Sequence, residues 1–144
     1  WMTDHDYDIV IASREGTGAE RVNEPLYRHL MGRTFNFLVQ LLVLPGIKDS
    51  QCGFKLFKAD VAKKLFSKLE IGKTDKEISI AYTGAWDVEL LYMARVFGYT
   101  IKEVSVKWIH VKTTRVSPLR DSIKMLSEVL QIKKKALLGK YKHI

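Results

Sequence analysis

The stretch DSQCGFK at residues 49–55 carries more chemistry than a strand that only fills a core would need. The carboxylate of Asp49 could take a proton from a nucleophile or hold a sugar hydroxyl. Gln51 adds an amide, and Gly53 would let a ligand or another backbone approach closely. Cys52 is more typical of core packing than of a nucleophile, because no histidine lies near it in the sequence. These residue types favour a ligand site here.

Three arginines could bind an anion. Arg14 follows Ser13 just after the apolar run at residues 8–13, and ligands of open α/β sheets collect at the carboxyl ends of strands. Arg28 lies near the start of a predicted helix, where backbone N–H groups already favour anions. Arg33 follows five residues later, which turns it by about 140° from Arg28 on a helix. Two interpretations of these arginines remain open: they form a phosphate site, or they are ordinary surface residues.

Acidic residues offer two further interpretations. Asp87 and Glu89 occupy the first turn of a predicted helix, where acids also complement the helix dipole. Trp86 beside them offers an apolar face on which a sugar could stack. The run DHDYD at residues 4–8 resembles a metal-binding Asp-x-Asp, but it precedes an apolar strand instead of following one. We therefore interpret it as a solvated loop.

The composition sets the class of protein. The chain has 144 residues, 47% of them hydrophobic, and a net charge of +8, which indicates one globular domain that favours anionic partners. A single cysteine excludes an internal disulfide. No apolar run reaches the roughly 18 residues needed to span a bilayer. Nucleic acid, a phospholipid surface and phosphorylated substrates all remain possible partners on charge alone.

Alternating elements must position these residues. Apolar runs and alternation predict strands, and helical spacing with turn residues predicts helices. Asn23 is a possible helix cap, and Gly98 is well placed to end a helix. The polar, glycine-bearing residues 14–24 are predicted to form a mobile loop. A short strand at 78–81 is also possible. The predicted strands cover 8–13, 51–57 and 100–111, and the predicted helices cover 25–44, 59–69, 86–99 and 119–138. This alternation indicates an α/β layer architecture.

Four strings in this order resemble a known family: DIVIASR, YRHLMGRTFNFLVQLLVLPGIKDSQCGFKLFKADVAKKLF, WDVELLYMARVFGYTIKEVSVKW and VSPLRDSIKML. They resemble the C-terminal half of glycosyltransferase family 2 enzymes, above all the dolichyl-phosphate (polyprenyl-phosphate) β-glucosyltransferases and their mannosyltransferase relatives. The resemblance implies the C-terminal part of a GT-A fold, a Rossmann-like mixed sheet flanked by helices. It also implies that residues 1–144 form a partial catalytic domain without its N-terminal nucleotide-binding half.

The resemblance also implies roles for single residues. Asp49 would be catalytic and would face the sugar, where a carboxylate stabilises an oxocarbenium-like state. The other residues would bind substrate, with the arginines on phosphate, residues of the 49–55 segment on the sugar, and Glu89 near the acceptor. These substrate-binding residues are Ser13, Arg14, Arg28, Arg33, Gln51, Gly53, Lys55, Glu89 and Arg115. Ala12 stands where the family usually has glycine.

The implied reaction is inverting transfer of a hexose, glucose favoured over mannose, from UDP-glucose or GDP-mannose to dolichyl or polyprenyl phosphate. It would take place at the cytoplasmic face of a membrane, with the protein peripherally bound to an anionic lipid surface. The complete enzyme would use Mg²⁺ or Mn²⁺, whose Asp-x-Asp ligands are missing here, so no metal ligand is predicted and the isolated chain should be inactive. The alternative is a non-enzymatic basic module for nucleic acid or an anionic membrane surface. The scattered basic residues and the lack of a known nucleic-acid-binding pattern argue against nucleic acid.

Overall fold

The computed structural model describes residues 5–71, 84–111 and 118–141 and confirms the predicted α/β class. Strands and helices alternate in groups along the chain, and each group of strands is followed by at least one helix that can cover the sheet. In chain order the elements are β1 (Ile9–Ser13), β2 (Glu20–Val22), α1 (Leu26–Leu42), β3 (Lys55–Phe57), α2 (Ala59–Lys68), α3 (Trp86–Val96), β4 (Ile101–Ser105), β5 (Lys107–Ile109) and α4 (Pro118–Leu137).

The central sheet is mixed and has the order β3-β1-β4. β1 pairs antiparallel with β3 and parallel with β4. All five residues of β1 are buried, as expected for a strand with a neighbour on both sides and helices against the sheet. The carboxyl end of β1, at Ser13, therefore opens onto the loop that contains Arg14.

A second, two-stranded sheet continues from the first. β2 and β5 pair in parallel, with Arg21 opposite Trp108. Only Val106 separates β4 from β5; its N–H donates to the Ser13 carbonyl at 3.0 Å, and its own carbonyl accepts from Glu20 N–H at 3.2 Å. At Val106 the chain thus passes from β4 in the first sheet to β5 in the second. The sequence analysis assigned residues 14–24 to a loop, and this was wrong for β2.

The helices enclose the core. α1 contacts α4, and α3 contacts both α2 and α4. The core consists of fully or almost fully buried apolar side chains from the sheet and from all four helices, among them Ile9, Ile11, Val39, Leu65, Leu91 and Ile132. The core therefore fixes α1 and α3 against the same end of the sheet where β1 terminates.

Three other sequence-based expectations can be checked. Gly98 follows α3 with a φ of 79°, which confirms it as the glycine that ends this helix. Asn23 is not the cap of α1; that position is Pro25, and Asn23 instead takes a left-handed φ of 58° in the preceding turn. The strand predicted at 51–57 is limited to β3, because residues before it form a loop bound to other elements. The strand considered at 78–81 lies outside the described residues.

Candidate functional site

One cavity of about 400 Å³ lies where β1 and β5 meet α1, α3 and α4. Its apolar walls include Phe35, Trp86 and Trp108. Its charged lining residues are Arg14, Arg21, Glu24, Arg28, Lys55, Asp87 and Asp121. A cavity with aromatic walls and a few converging charged groups is the usual form of a small-molecule site.

Arg14 and Asp49 form a paired unit at the wall of this cavity. The Arg14 guanidinium donates through Nε to Asp49 Oδ2 at 2.7 Å and through Nη2 to Oδ1 at 2.8 Å. The Arg14 backbone N–H adds a third bond to Oδ2 at 2.9 Å. Asp49 is fully buried, whereas the Arg14 side chain keeps 20% of its exposure and lies over the Trp108 ring, 5.4 Å from its centroid. The pair therefore presents arginine, not carboxylate, to the cavity.

Both partners are held in their charged forms. Burial alone would raise the pKa of Asp49, but the hydrogen bonds and charge of Arg14 outweigh it and hold that pKa below its ordinary value. Burial likewise acts to lower the pKa of Arg14, and Asp49 raises it above its ordinary value instead. The backbone N–H of Asp49 also donates to Glu103 on β4 at 3.0 Å. Asp49 is thus tied to its surroundings on both its backbone and its side chain.

Arg21 is a cavity residue that the sequence analysis missed. Its guanidinium donates to Glu15 Oε1 and to Glu24 Oε2, each at 2.6 Å, and through Nε to the Arg14 carbonyl at 3.1 Å. The strand β2 that places it opposite Trp108 was not recognised because it spans only three residues. Alternation of Glu20, Arg21 and Val22 is too short a signal to be distinguished from a polar loop.

Arg28 differs from the other two arginines of the cavity. It is half-buried in the first turn of α1, and its side chain has no hydrogen bond or ion pair with any residue that the structure describes. Arg33 is exposed and does not belong to the lining, in agreement with the angle expected between the two positions. The charge of Arg28 is therefore available to an anion, whereas Arg14 and Arg21 are already neutralised by carboxylates.

Asp87 is a buried carboxylate of the cavity lining. It accepts from Gln51 Nε2 at 2.6 Å and from Lys55 Nζ at 3.3 Å. Burial raises the pKa of Asp87 above its ordinary value, and it outweighs the opposing influence of Lys55 and Gln51. Gln51 and Lys55 thus lie in the cavity as the sequence analysis expected, and their partner there is Asp87.

Glu89, which the resemblance placed near an acceptor, lies outside this cavity. It is fully buried and accepts from the backbone N–H of Ile71 at 2.6 Å and of Glu70 at 3.0 Å. Its second oxygen accepts from the Tyr141 hydroxyl at 2.7 Å, and burial together with Glu89 raises the pKa of that hydroxyl. These contacts join α3 to the end of α2 and to the residues after α4.

The remaining predicted residues have simpler positions. Gly53 lines the cavity with open space where a side chain would be. Ser13 is buried outside the lining, and its hydroxyl donates to the Glu15 carbonyl at 3.1 Å, which fixes the turn after β1. Cys52 is buried, as expected for a packing residue. Arg115 lies outside the described residues.

The acidic run before β1 is engaged in the fold. Asp8 accepts from the backbone N–H of Thr100 at 2.9 Å and from Lys58 Nζ at 3.0 Å, and Asp6 also accepts from Lys58. Within residues 5–71, 84–111 and 118–141, no group of three or more His, Cys, Asp or Glu side chains is arranged to hold a metal ion. The described residues therefore do not form a site that fits the divalent cation implied by the resemblance.

Comparison with known proteins identifies relatives over most of this chain. A dolichyl-phosphate beta-glucosyltransferase of Dictyostelium discoideum is 36% identical over 115 residues, which cover 80% of this chain and 32% of that protein. The human dolichyl-phosphate beta-glucosyltransferase is 33% identical over 135 residues, 93% of this chain and 39% of that protein. The glycosyltransferase AglD of Haloferax volcanii is 31% identical over 127 residues, 88% of this chain and 18% of that protein.

These relatives confirm the resemblance predicted from the sequence. The chain spans between about a third and two fifths of the length of the dolichyl-phosphate beta-glucosyltransferases that it matches in Dictyostelium and human. No protein-family model and no solved structure matches it.

Proposed function

We propose, from the homology of this chain to a segment of the dolichyl-phosphate beta-glucosyltransferases, that its cavity binds the acceptor phosphate and the hexose of an inverting glucosyl transfer to dolichyl or polyprenyl phosphate. The observation that carries the proposal is Arg28, a half-buried arginine in a cavity whose other two arginines already have carboxylate partners. A guanidinium binds phosphate oxygens through strong, often bidentate, charge-assisted hydrogen bonds.

The chemistry of the acceptor suits this arrangement. A phosphate monoester has its second pKa near 6 and is largely dianionic at neutral pH, so it needs a positioning cation more than a base. Its oxygen would form a bond to the anomeric carbon while the bond from that carbon to the nucleotide phosphate breaks. Positive charge develops on the sugar in between, and a carboxylate close to the ring stabilises it.

Asp87 is better placed for that electrostatic role than Asp49. It lines the cavity, and Gln51 and Lys55 orient its two oxygens. Both oxygens of Asp49 instead accept from Arg14, which makes Asp49 a positioning residue for that arginine. Our proposal therefore assigns the sugar-facing carboxylate to Asp87.

The rest of the reaction lies beyond the described residues. We assign the nucleotide and the expected Mg²⁺ or Mn²⁺ to no residue of this chain, because no described cluster fits a metal ion. The donor is proposed to be UDP-glucose, with GDP-mannose as the alternative. The mixed sheet with flanking helices is compatible with a GT-A fold, of which we propose that the chain is the C-terminal part.

A membrane surface is the proposed place of action. Within the described residues no helix combines the length and the apolar character that crossing a bilayer requires. α1 nevertheless exposes large apolar side chains, among them Leu26, Leu30, Phe37 and Leu41, on a chain with a net charge of +8. These features support peripheral binding to anionic lipid, proposed at the cytoplasmic face. Co-sedimentation with phosphatidylserine vesicles but not with neutral vesicles is the expected result.

The phosphate site is tested by binding of farnesyl phosphate and inorganic phosphate to the 144-residue chain, measured by calorimetry. Arg28→Met should weaken both by about tenfold or more, because a charge-assisted hydrogen bond is lost. Arg33→Met is the matched control, five residues along the same helix and outside the cavity, and should leave both affinities unchanged. Equal affinities for Arg28→Met and the unchanged chain would refute the site. Salt-dependent binding of random-sequence DNA that Arg28→Met does not change would favour the basic-module alternative.

A further inference from the structure

The side of α1 that lines the cavity changes character along its length. Arg28, Gly32 and Asn36 recur at intervals of four residues, which places them on one face of the helix, and all three line the cavity. The face thus begins with a cation, continues with bare backbone and ends with an amide, over about 12 Å along the helix axis.

Asn36 is buried without a full set of partners. It is 5% exposed, and its Oδ1 accepts no hydrogen bond from any residue that the structure describes. Ser50 Oγ shares this property but is not part of the cavity lining. Buried polar atoms in native proteins are nearly always hydrogen-bonded, so an unpartnered one beside a cavity calls for a partner from the cavity, a bound water or a ligand hydroxyl.

Gly32 leaves the middle of this face open. A Cβ atom added there would meet no atom within 4 Å, so close packing around this position does not require glycine. Glycine in the interior of a helix also costs stability relative to other residues. The absence of a side chain at Gly32 therefore leaves room for a ligand above α1.

We propose that Asn36 binds a hydroxyl of the transferred hexose and that the sugar ring lies above Gly32. The acceptor phosphate, to which the hexose is transferred, lies at Arg28. A hydroxyl can donate to the amide oxygen and accept from the amide nitrogen, so it satisfies Asn36 in either orientation of the amide. Trp86 in the same cavity offers an aromatic wall for the ring. This inference rests on the proposed function, which supplies the hexose and the phosphate.

The test compares β-D-glucose 1-phosphate with inorganic phosphate, because the two probes share the phosphate and differ in the hexose. Both are titrated into the 144-residue chain by calorimetry. In the unchanged chain glucose 1-phosphate should bind more tightly. Asn36→Leu should weaken glucose 1-phosphate by about tenfold, since a buried hydrogen bond is lost, and leave inorganic phosphate unchanged. Gln40→Leu is the matched control, an amide replaced one turn further along α1 and outside the lining, and should change neither.

Gly32→Leu provides a second variant that is expected to fold, because the added Cβ meets no atom within 4 Å, the position faces the cavity and leucine favours a helix. It should exclude the ring and weaken glucose 1-phosphate by about tenfold or more, with inorganic phosphate retained. Urea unfolding of both variants should show stability at or above that of the unchanged chain.

The outcomes separate the two proposals. Both proposals are supported if Arg28→Met weakens the binding of both probes, while Asn36→Leu and Gly32→Leu weaken the binding of glucose 1-phosphate alone. Unchanged glucose 1-phosphate affinity in Asn36→Leu, or an equal loss of the two probes, overturns the hexose site and leaves the phosphate site standing. If the unchanged chain binds neither probe, both proposals are wrong.

Discussion

Asp87 and Glu89 lie two residues apart in the first turn of α3, are both buried, and have opposite surroundings. Two residues correspond to about 200° of helical rotation, so the two carboxylates point to opposite sides of α3. Asp87 lines the cavity and accepts hydrogen bonds from the side chains of Gln51 and Lys55, besides one from the neighbouring backbone N–H of Val88. Glu89 points into the protein and takes its contacts from two backbone N–H groups and Tyr141.

The difference shows how a buried acid can be assigned to the fold or to a site. Glu89 is fully buried outside the cavity and is held by two backbone N–H groups and the Tyr141 hydroxyl, so a ligand in the cavity does not reach it. Partners that are side chains at a cavity wall can exchange a contact with a ligand, and burial has already raised the pKa of Asp87.

Glu89→Leu should cause the largest loss of stability. It leaves the N–H of Ile71 and the Tyr141 hydroxyl buried without their acceptor, and each such group costs about 1–3 kcal/mol. We expect a decrease of about 3 kcal/mol in the free energy of unfolding, measured with urea. Phosphate affinity of the folded protein should be unchanged.

Lys135→Gln is the control for Glu89. Lys135 Nζ lies 3.9 Å from Glu89 Oε1 and pairs with Glu70 near the surface. Partly exposed ion pairs contribute little, so the change should cost less than about 1 kcal/mol. A Glu89→Leu effect as small as that of Lys135→Gln would contradict a structural role for the buried carboxylate.

Asp49→Asn should have the next largest effect. The amide offers one acceptor oxygen in place of two and turns an N–H group toward the Arg14 guanidinium, which leaves this charge without its counterpart. Removing a hydrogen bond to a charged group costs about 1.5–3 kcal/mol, and we expect about 2 kcal/mol in urea unfolding. Farnesyl phosphate should bind more tightly to the folded variant, because Arg14 then carries an uncompensated positive charge at the cavity wall. Unchanged stability and unchanged binding would show that Asp49 does not neutralise Arg14.

The same pair predicts a pH dependence. Because Arg14 holds the folded-state pKa of Asp49 below the unfolded value of about 3.9, Asp49 contributes stability above about pH 4. That contribution is lost as the pH falls through the folded-state pKa. The stability difference between the unchanged chain and Asp49→Asn should therefore be constant from pH 7 to about 5 and should shrink below about pH 4. A difference that grows on acidification would have the wrong sign.

Much of the fold could be predicted because it depends on local pattern. The buried run of β1, the helix that ends before Gly98 and the amphipathic α4 each carry a period that needs no knowledge of their partners. β2 could not be predicted, because three polar and apolar residues become a strand only when β5 lies beside them. The structure at the start of the 49–55 segment could not be predicted either. Asp49 accepts hydrogen bonds from Arg14 there, and the strand begins only at Lys55.

The site was predictable by residue type but not by pairing. Arg14, Arg28, Gln51, Gly53 and Lys55 line one cavity, as their chemistry suggested. Which acid faces that cavity depends on contacts between residues about 35 positions apart, such as Arg14 with Asp49 and Gln51 with Asp87. Sequence spacing holds no information on such pairs. The rotation of about 200° between Asp87 and Glu89 was available in the sequence, but it could not tell which side faces the sheet.

The smallest expected effect is a difference in titration between the two buried aspartates. Carboxyl carbon NMR of the unchanged chain should show Asp49 titrating below the ordinary aspartate value of about 3.9 and Asp87 titrating above it. Stability follows the opposite sign for Asp87, since a raised folded-state pKa means that its contribution falls as the pH rises through that value. Lys55→Met should raise the pKa of Asp87 further, because it removes the cation that opposes burial, and should leave Asp49 unchanged. If the two aspartates titrate at the same pH, the bidentate bond to Arg14 and the burial of Asp87 do not shift the two pKa values in opposite directions. The electrostatic difference on which we assign the sugar-facing carboxylate to Asp87 would then be absent.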